Sequence, residues 1–179
     1  MTTKKLLLPG ALSFALIIAG LCACTEKTTD KKEALASASV GNYPYTIEHP
    51  DNWEVGSTAN TMIALNSLKA CEEGKMDESL KYFGDSIRVQ FDGMDKKMSN
   101  DSLKAMLTNG WNSYKTVKEK LDDWESVISK DKSEEWVTLW YTQSWETKEG
   151  VKDSSAIIND LQIKGGKIIR LSEYTRKLH

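Results

Sequence analysis

The sequence predicts an α+β domain, with helices in the first half of the domain and an antiparallel sheet in the second. Apolar residues recur at helical spacing in segments between about residues 57 and 114. Longer segments with β-type patterning follow, and the last two are joined by Gly165-Gly166, a strong signal of a two-residue hairpin. The 179 residues leave room for one such domain after a short leader and a tether.

Residues 1–23 are predicted to form an export signal. Lys4 and Lys5 give a basic start, an apolar run extends from Leu6 to Ala19, and small residues precede a cleavage site. The run is shorter than the roughly 20 apolar residues of a membrane-spanning helix, and Pro9 and Gly10 interrupt it. We therefore expect a cleaved signal and not a permanent transmembrane anchor.

The tetrapeptide Leu21-Cys22-Ala23-Cys24 resembles the lipobox of bacterial lipoproteins. That resemblance implies lipid on the sulfur of Cys24 and an acyl chain, such as palmitate, on the new amino terminus. Membrane lipid would then be the first partner of the chain, in the cell envelope. By the same resemblance, Thr25 in place of Asp after the cysteine implies the outer membrane of a Gram-negative bacterium. Ordinary cleavage after Ala23, without lipid, is the alternative.

A flexible tether is predicted for residues 24–41, because this stretch lacks aromatic residues and any sustained apolar period. An extended segment over residues 42–57 follows, in which Pro44, Pro50 and Gly56 prevent a regular element. The folded domain is predicted to span residues 58–179.

Three helices are predicted at the start of the domain. Ser57 or Thr58 can cap the first, which ends at Gly74, and the second is short, from Met76 to Tyr82. The third runs from its cap Ser99 to about Tyr114 and carries a one-sided apolar stripe. One face of each helix should therefore be buried.

The remaining elements are predicted to be strands. They span Ser86 to Phe91, Val117 to Ser129, Glu135 to Thr147, Ser154 to Lys164 and Lys167 to Lys177. The long strands carry apolar residues on both sides, since Trp136 and Trp140 alternate with Val137, Leu139 and Tyr141. The helices can cover only one face of such a sheet. We therefore expect a second copy of the chain to cover the other, as a homodimer.

This order of elements resembles the nuclear transport factor 2-like fold, and in particular its SnoaL-like branch, from Thr58 to Lys177. The resemblance lies in NSLKACEEGKMDESLKYFGDSIRVQFDG, DSLKAMLTNGWNSY and EEWVTLWYTQSWETKEG. It implies a cone-shaped α+β barrel, in which a curved, mostly antiparallel sheet wraps around about three N-terminal helices and leaves a pocket at the open end. Enzymes with this fold place an Asp in the pocket, but no short motif fixes that Asp here.

The composition argues against metal and nucleic-acid chemistry. His49 and His179 are the only histidines, and neither is placed as a base in the pocket. Cys71 is the one cysteine of the predicted domain, and we expect it to be buried. No HExxH or CxxC spacing occurs, so we expect no metal and no cofactor. A net charge of −2 argues against a nucleic-acid partner.

Asp160 is the candidate catalytic residue, because it lies in the apolar strand SAIINDLQI. A buried carboxyl there must be paired or have a raised pKa, and a raised pKa would suit a general base. The alternative is an Asp on the exposed side of the sheet or paired with Arg170.

Several aromatic residues are candidates for the pocket wall. Trp111, Trp136, Trp140 and Tyr174 could accept a small apolar or planar ligand together with Asp160, although tryptophans are more often core residues.

The sequence thus favours an envelope lipoprotein whose domain is a non-catalytic module for binding a small molecule or another partner. The alternative is a SnoaL-like enzyme, an isomerase or a hydratase/lyase, that uses a pocket carboxylate as general base.

Overall fold

The structure is a computed structural model that describes residues 43–47 and 52–178. The predicted signal, the tether with Cys24, and both histidines lie outside the described residues. Within the described part, three helices and seven strands follow one another. They are β1 (Trp53–Val55), α1 (Thr58–Glu72), α2 (Met76–Leu80), β2 (Phe83–Phe91), β3 (Met94–Ser99), α3 (Asn100–Trp111), β4 (Tyr114–Ser129), β5 (Glu135–Thr147), β6 (Lys152–Lys164) and β7 (Lys167–Leu178).

The predicted helices are confirmed, with their caps. The Ser57 side chain accepts a hydrogen bond from the Ala59 amide at 3.1 Å, which satisfies one of the free donors at the start of α1. Gly74 follows α1 with a φ of +70°, a conformation that favours glycine. Ser99 caps α3 in the same way, at 3.2 Å from the Ser102 amide. The third helix ends at Trp111, three residues before the predicted end, because Tyr114 already belongs to β4.

The long strands are confirmed, and two short strands were missed. β5 has the predicted bounds, and β4, β6 and β7 differ from prediction by one to three residues at one end. β3 escaped prediction because its sequence, MDKKMS, has few apolar residues. β1 has only three residues and depends on pairing with β4.

The sheet has the order β1-β4-β5-β6-β7-β2-β3 within the described residues. All neighbours are antiparallel except β2 and β7, which are parallel. α1 contacts β4, β5 and β7, while α3 contacts β2 and β3, so the sheet curves around the helices. The predicted α+β fold is therefore confirmed. The barrel does not close, since β1 and β3 remain separate edges.

The core lies between the helices and the concave side of the sheet, which we call the inner face. Strand residues on this face alternate with residues on the convex side, the outer face. Along β6, Ile157 on the inner face is 5% exposed, whereas its neighbour Ile158 on the outer face is 37% exposed. The side that faces the helices is thus less exposed to solvent. No helix among the described residues is long and apolar enough to cross a membrane.

Candidate functional site

A cavity of about 150 Å³ lies between the helices and the inner face, and we call it the inner cavity. Its wall is mostly apolar, and its polar side chains come mainly from β4, β5, β6 and β7. The lining residues are Ala64, Ser67, Leu68, Cys71, Ser79, Phe83, Phe91, Leu107, Glu119, Leu139, Tyr141, Gln143, Asn159, Leu161, Ile168, Leu171 and Glu173. Apolar walls with a few polar groups are typical of small-molecule sites.

Strand register brings the polar groups of the inner cavity together. Glu119 on β4 pairs with Gln143 on β5, and Gln143 Nε2 donates to Glu119 Oε1 at 3.0 Å. Two residues earlier on β5, Tyr141 also faces inward, and its hydroxyl accepts a hydrogen bond from Asn159 Nδ2 at 2.9 Å. Asn159 pairs with Glu173 on β7. The two carboxyl groups, the phenol and the amides therefore belong to one site.

Two oxygen atoms of this site have no hydrogen-bond donor among the described residues. They are Glu119 Oε2 and Asn159 Oδ1, and both atoms are buried. Asn159 is only 8% exposed. A buried polar atom without a partner costs about 1 to 3 kcal/mol of stability. Each of these two oxygens can accept a hydrogen bond from a molecule in the cavity.

Glu119 is the titrating group of the site. Its pKa is raised to about 7, mainly by burial, against the hydrogen bond from Gln143; the negative charges of Glu72 and Glu173 also raise it, and the attraction of Lys69 lowers it. Near neutral pH this carboxyl group exists in both protonation states. It can therefore accept or release a proton at the inner cavity.

The same burial raises the pKa of the neighbouring groups. Burial raises the pKa of Glu173, with a hydrogen bond from Thr175 acting in the opposite direction. Burial also raises the pKa of Tyr141 well above its ordinary value, so its hydroxyl remains a hydrogen-bond donor. The pKa of Cys71 rises to about 12 for the same reason, and the thiol is then a poor nucleophile.

A second cavity of about 180 Å³ lies between α1 and β4. Leu68 and Glu119 line both cavities. Glu119 therefore lies where the inner cavity meets the surface crevice beside α1.

The structure places the predicted carboxylate, Asp160, on the outer face. It is half-buried and accepts a hydrogen bond from Thr138 Oγ1 at 3.0 Å. Burial raises its pKa, while the hydrogen bond from Thr138 and the positive charge of Arg170 lower it. Asp160 does not line the inner cavity. Neighbouring residues of a strand point to opposite faces, so Asn159 lines the inner cavity and Asp160 does not. The candidate carboxylate of the cavity is therefore Glu119 and not Asp160.

The four predicted aromatic residues do not line the inner cavity either. Trp136 lies on the outer face, where the Arg170 guanidinium is 5.4 Å from its ring centroid. Trp140 and Tyr174 line a groove of about 400 Å³ on the same face, together with Ile158. Trp111 packs beside Gly74, whose added Cβ would lie 2.7 Å from the Trp111 ring.

The outer face also carries a network of polar side chains that hydrogen-bond to one another. Arg88 donates two hydrogen bonds to Asp95, at 2.8 and 2.7 Å. Gln90 donates to Asp95 at 2.9 Å and accepts from Arg170 and Ser172. These groups join β3, β2 and β7, so the network stabilises this end of the sheet.

Metal-binding clusters are absent from the described part of the chain. No group of three or more His, Cys, Asp or Glu side chains is arranged there to hold a metal ion.

Sequence reasoning missed Glu119 and Asn159. A usable signal was present, because each lies between apolar or packed neighbours two residues away on the same face. Glu119 is flanked by Val117 and Leu121 in this sense. A register shift between Leu121 and Asp123 interrupts the alternation of inner and outer residues along β4. The alternation is therefore not visible over the whole strand in the sequence.

The open seven-stranded sheet with helices on its inner face and a cavity beneath them defines the nuclear transport factor 2-like α+β cone fold. No protein-family model matches this sequence, and neither does any curated protein. Solved structures do match. The fold is therefore established by three-dimensional likeness.

Three of these structures illustrate the likeness. An uncharacterized cystatin fold protein from Novosphingobium aromaticivorans has a TM-score of 0.55 at 11% identity and covers 66% of this chain and 99% of its own. AusH from Aspergillus nidulans has a TM-score of 0.56 at 16% identity, with coverages of 68% and 86%. An LEH-like epoxide hydrolase from M. tuberculosis has a TM-score of 0.55 at 13% identity, with coverages of 69% and 83%. At such identities the likeness shows the fold alone.

Proposed function

We propose that this domain binds a small, mostly apolar molecule in the inner cavity. The observation that carries the proposal is a cavity with apolar walls and two buried oxygen atoms that no described residue satisfies. A purely structural core would bury apolar side chains at these inner positions of β4 and β6. Polar groups retained in such a place are expected to meet a ligand.

Retention of a ligand by the intact protein tests this proposal. Native mass spectrometry after incubation with bacterial lipid and metabolite extracts should show a bound small molecule. Leu161→Phe should abolish the bound mass, because Leu161 lines the cavity and a larger side chain would fill it.

Ile158→Phe is the matched control, since Ile158 lies on the same strand but on the outer face. It should retain the ligand. A wild-type chain that retains nothing, or a Leu161→Phe chain that retains as much as wild type, contradicts the proposal.

A second candidate function is general acid–base catalysis by Glu119. The observation that favours it is the pKa of about 7, which suits a group that must take a proton and return it. Tyr141 provides a neutral hydroxyl nearby. Cyclohexene oxide is a suitable probe, since one structural neighbour is an epoxide hydrolase. Addition of water to this epoxide gives the diol.

In that reaction Glu119→Gln should lower turnover by roughly 10²-fold or more, the usual loss of a general base. Asp160→Asn should leave turnover unchanged, because Asp160 lies outside the inner cavity. If the wild-type chain forms no diol, or if the two substitutions have equal effects, this function is excluded for epoxides.

We further propose that lipid on Cys24 holds the domain at the cell envelope. The support is the lipobox-like sequence alone. Cys24→Ser should release the protein from the membrane fraction, whereas Cys22→Ser, two residues away, should not. Continued membrane association of Cys24→Ser would contradict the proposal.

The second copy expected on the outer face stays a prediction. Ile158 and Tyr174 are exposed on this face. Light scattering after size-exclusion chromatography measures the mass directly. A monomer in solution would show that no second copy covers this face.

A further inference from the structure

We propose that the ligand of the inner cavity is a small, positively charged amine, whose ammonium group binds between Glu119 and Asn159. This inference rests on the proposed binding function and specifies its ligand class. Three independent features of the cavity support it: charge, hydrogen-bonding capacity and size.

The charge of the cavity wall favours a cation. Glu119 and Glu173 both line it, and the wall contains no Lys, Arg or His among the described residues. A negatively charged ligand would meet these carboxyl groups without a positively charged side chain in the wall. An ammonium group would stabilise their ionised forms, because opposite charges attract strongly in partly dry surroundings.

With Glu119 ionised, the unsatisfied side-chain atoms of the site are hydrogen-bond acceptors. The unpartnered atoms, Glu119 Oε2 and Asn159 Oδ1, are both oxygens. The other ends of these side chains are already engaged, since Gln143 donates to Glu119 Oε1 and Asn159 Nδ2 donates to Tyr141. The ligand must therefore bring donors. An ammonium group brings up to three and no acceptor.

The rest of the wall suits a compact apolar body. Phe83, Phe91 and Tyr141 present aromatic rings, which attract cations by their faces. The volume of about 150 Å³ matches that of an apolar protein cavity known to hold benzene. The amine should therefore carry a hydrocarbon group of about that size.

Binding of such an amine should depend on pH, since Glu119 is neutral below about pH 7. Affinity should fall as the pH drops below this value, because the carboxyl group must release its proton before it can pair with the ammonium group. The titratable groups that act on Glu119 come from α1 (Lys69, Cys71 and Glu72), β5 (Tyr141) and β7 (Glu173).

Four probes of nearly equal shape test the inference. The four compounds differ in one group. It is cationic in benzylamine, a neutral hydrogen-bond donor in benzyl alcohol, apolar in toluene and anionic in benzoate. Isothermal titration of the full chain at pH 8 should give the highest affinity for benzylamine, by at least about tenfold over benzyl alcohol. Benzoate should not bind.

Other rankings overturn the inference in distinguishable ways. Tightest binding of toluene or benzyl alcohol would exclude the amine but leave a small-molecule site in place. Tightest binding of benzoate would show that the carboxyl groups do not set the ligand charge. If no probe binds and no compound is retained from extracts, the binding function fails as well.

Substitutions locate the binding group. Glu119→Gln keeps the shape of the side chain and should weaken benzylamine at least about tenfold while changing toluene little. Asp160→Asn removes a carboxyl group on the outer face and should leave both affinities unchanged. Glu173→Gln is a second inner variant for the case in which Glu119→Gln does not fold. Equal benzylamine affinity in wild type and in a folded inner variant would contradict the assigned contact for that residue.

Discussion

The two faces of the sheet carry similar polar side chains, but these differ in whether their hydrogen bonds are satisfied. On the outer face, Arg88, Asp95 and Gln90 bond to one another and to Arg170. On the inner face, Glu119 and Asn159 each keep one oxygen without a donor among the described residues. Polar groups that satisfy one another stabilise the sheet, whereas polar groups left unsatisfied in a dry place point to a ligand.

Replacement of matched isoleucines on the two faces should show the largest difference. Ile157→Ala removes a buried inner side chain and should lower the free energy of unfolding by about 2 to 4 kcal/mol. Ile158→Ala, one residue further and more exposed, should cost less than about 1 kcal/mol. Urea denaturation measures both. Equal losses would show that the outer face is covered as thoroughly as the inner one.

The next prediction concerns Glu119 and pH. Its pKa is about 7 in the folded chain and near 4.5 when unfolded, so the folded state binds the proton more tightly. Stability from this group is therefore full below about pH 4.5 and is lost as the pH rises to about 7. Glu119→Gln should remove this loss and gain about 2 to 3 kcal/mol over wild type at pH 8, relative to their difference at pH 4.5.

Urea denaturation at both pH values measures this effect. Glu125→Gln is the matched control, because Glu125 lies on the same strand and is exposed. It should give the same difference from wild type at pH 4.5 and 8. A Glu119→Gln chain whose difference from wild type is the same at both pH values would show that the pKa of Glu119 does not rise on folding.

The smallest effect is expected from exchanging polar for apolar side chains. Gln90→Leu breaks bonds to Asp95, Arg170 and Ser172, and should cost about 1 to 2 kcal/mol. Asn159→Leu leaves the Tyr141 hydroxyl without its partner but also removes an unsatisfied buried oxygen, and because the two changes offset one another its net cost should stay below about 1 kcal/mol. Thermal unfolding in the absence of ligand compares them, and a costlier Asn159→Leu would contradict the assignment of the inner face.

Most of the fold could be predicted from the sequence, because its signals are local. The caps Ser57 and Ser99 and the Gly165-Gly166 turn each act within a few residues of their own position. β1 and β3 could not be predicted in this way, since a three-residue strand and a charged edge strand form only through pairing with distant partners.

The site could not be located, for a related reason. Alternation shows that Asn159 and Asp160 lie on opposite faces, but it does not show which face meets the helices. Both faces of β5 and β6 are rich in apolar residues, so the choice depends on tertiary packing. The sequence favours Asp160 and Trp140, which lie on the outer face, one residue away from positions that line the inner cavity.

The parallel pairing of β2 with β7 has a consequence for the order of folding. β2 and β3 join the rest of the sheet only through β7, some 80 residues later in the chain, as the contact between Arg170 and Gln90 shows. During synthesis β2 and β3 therefore cannot join the rest of the sheet until β7 has been made. Contacts of such long sequence separation slow folding. We expect the hairpin of β6 and β7 to form early and the β2–β3 pair to dock last, closing the cavity wall at Phe83 and Phe91.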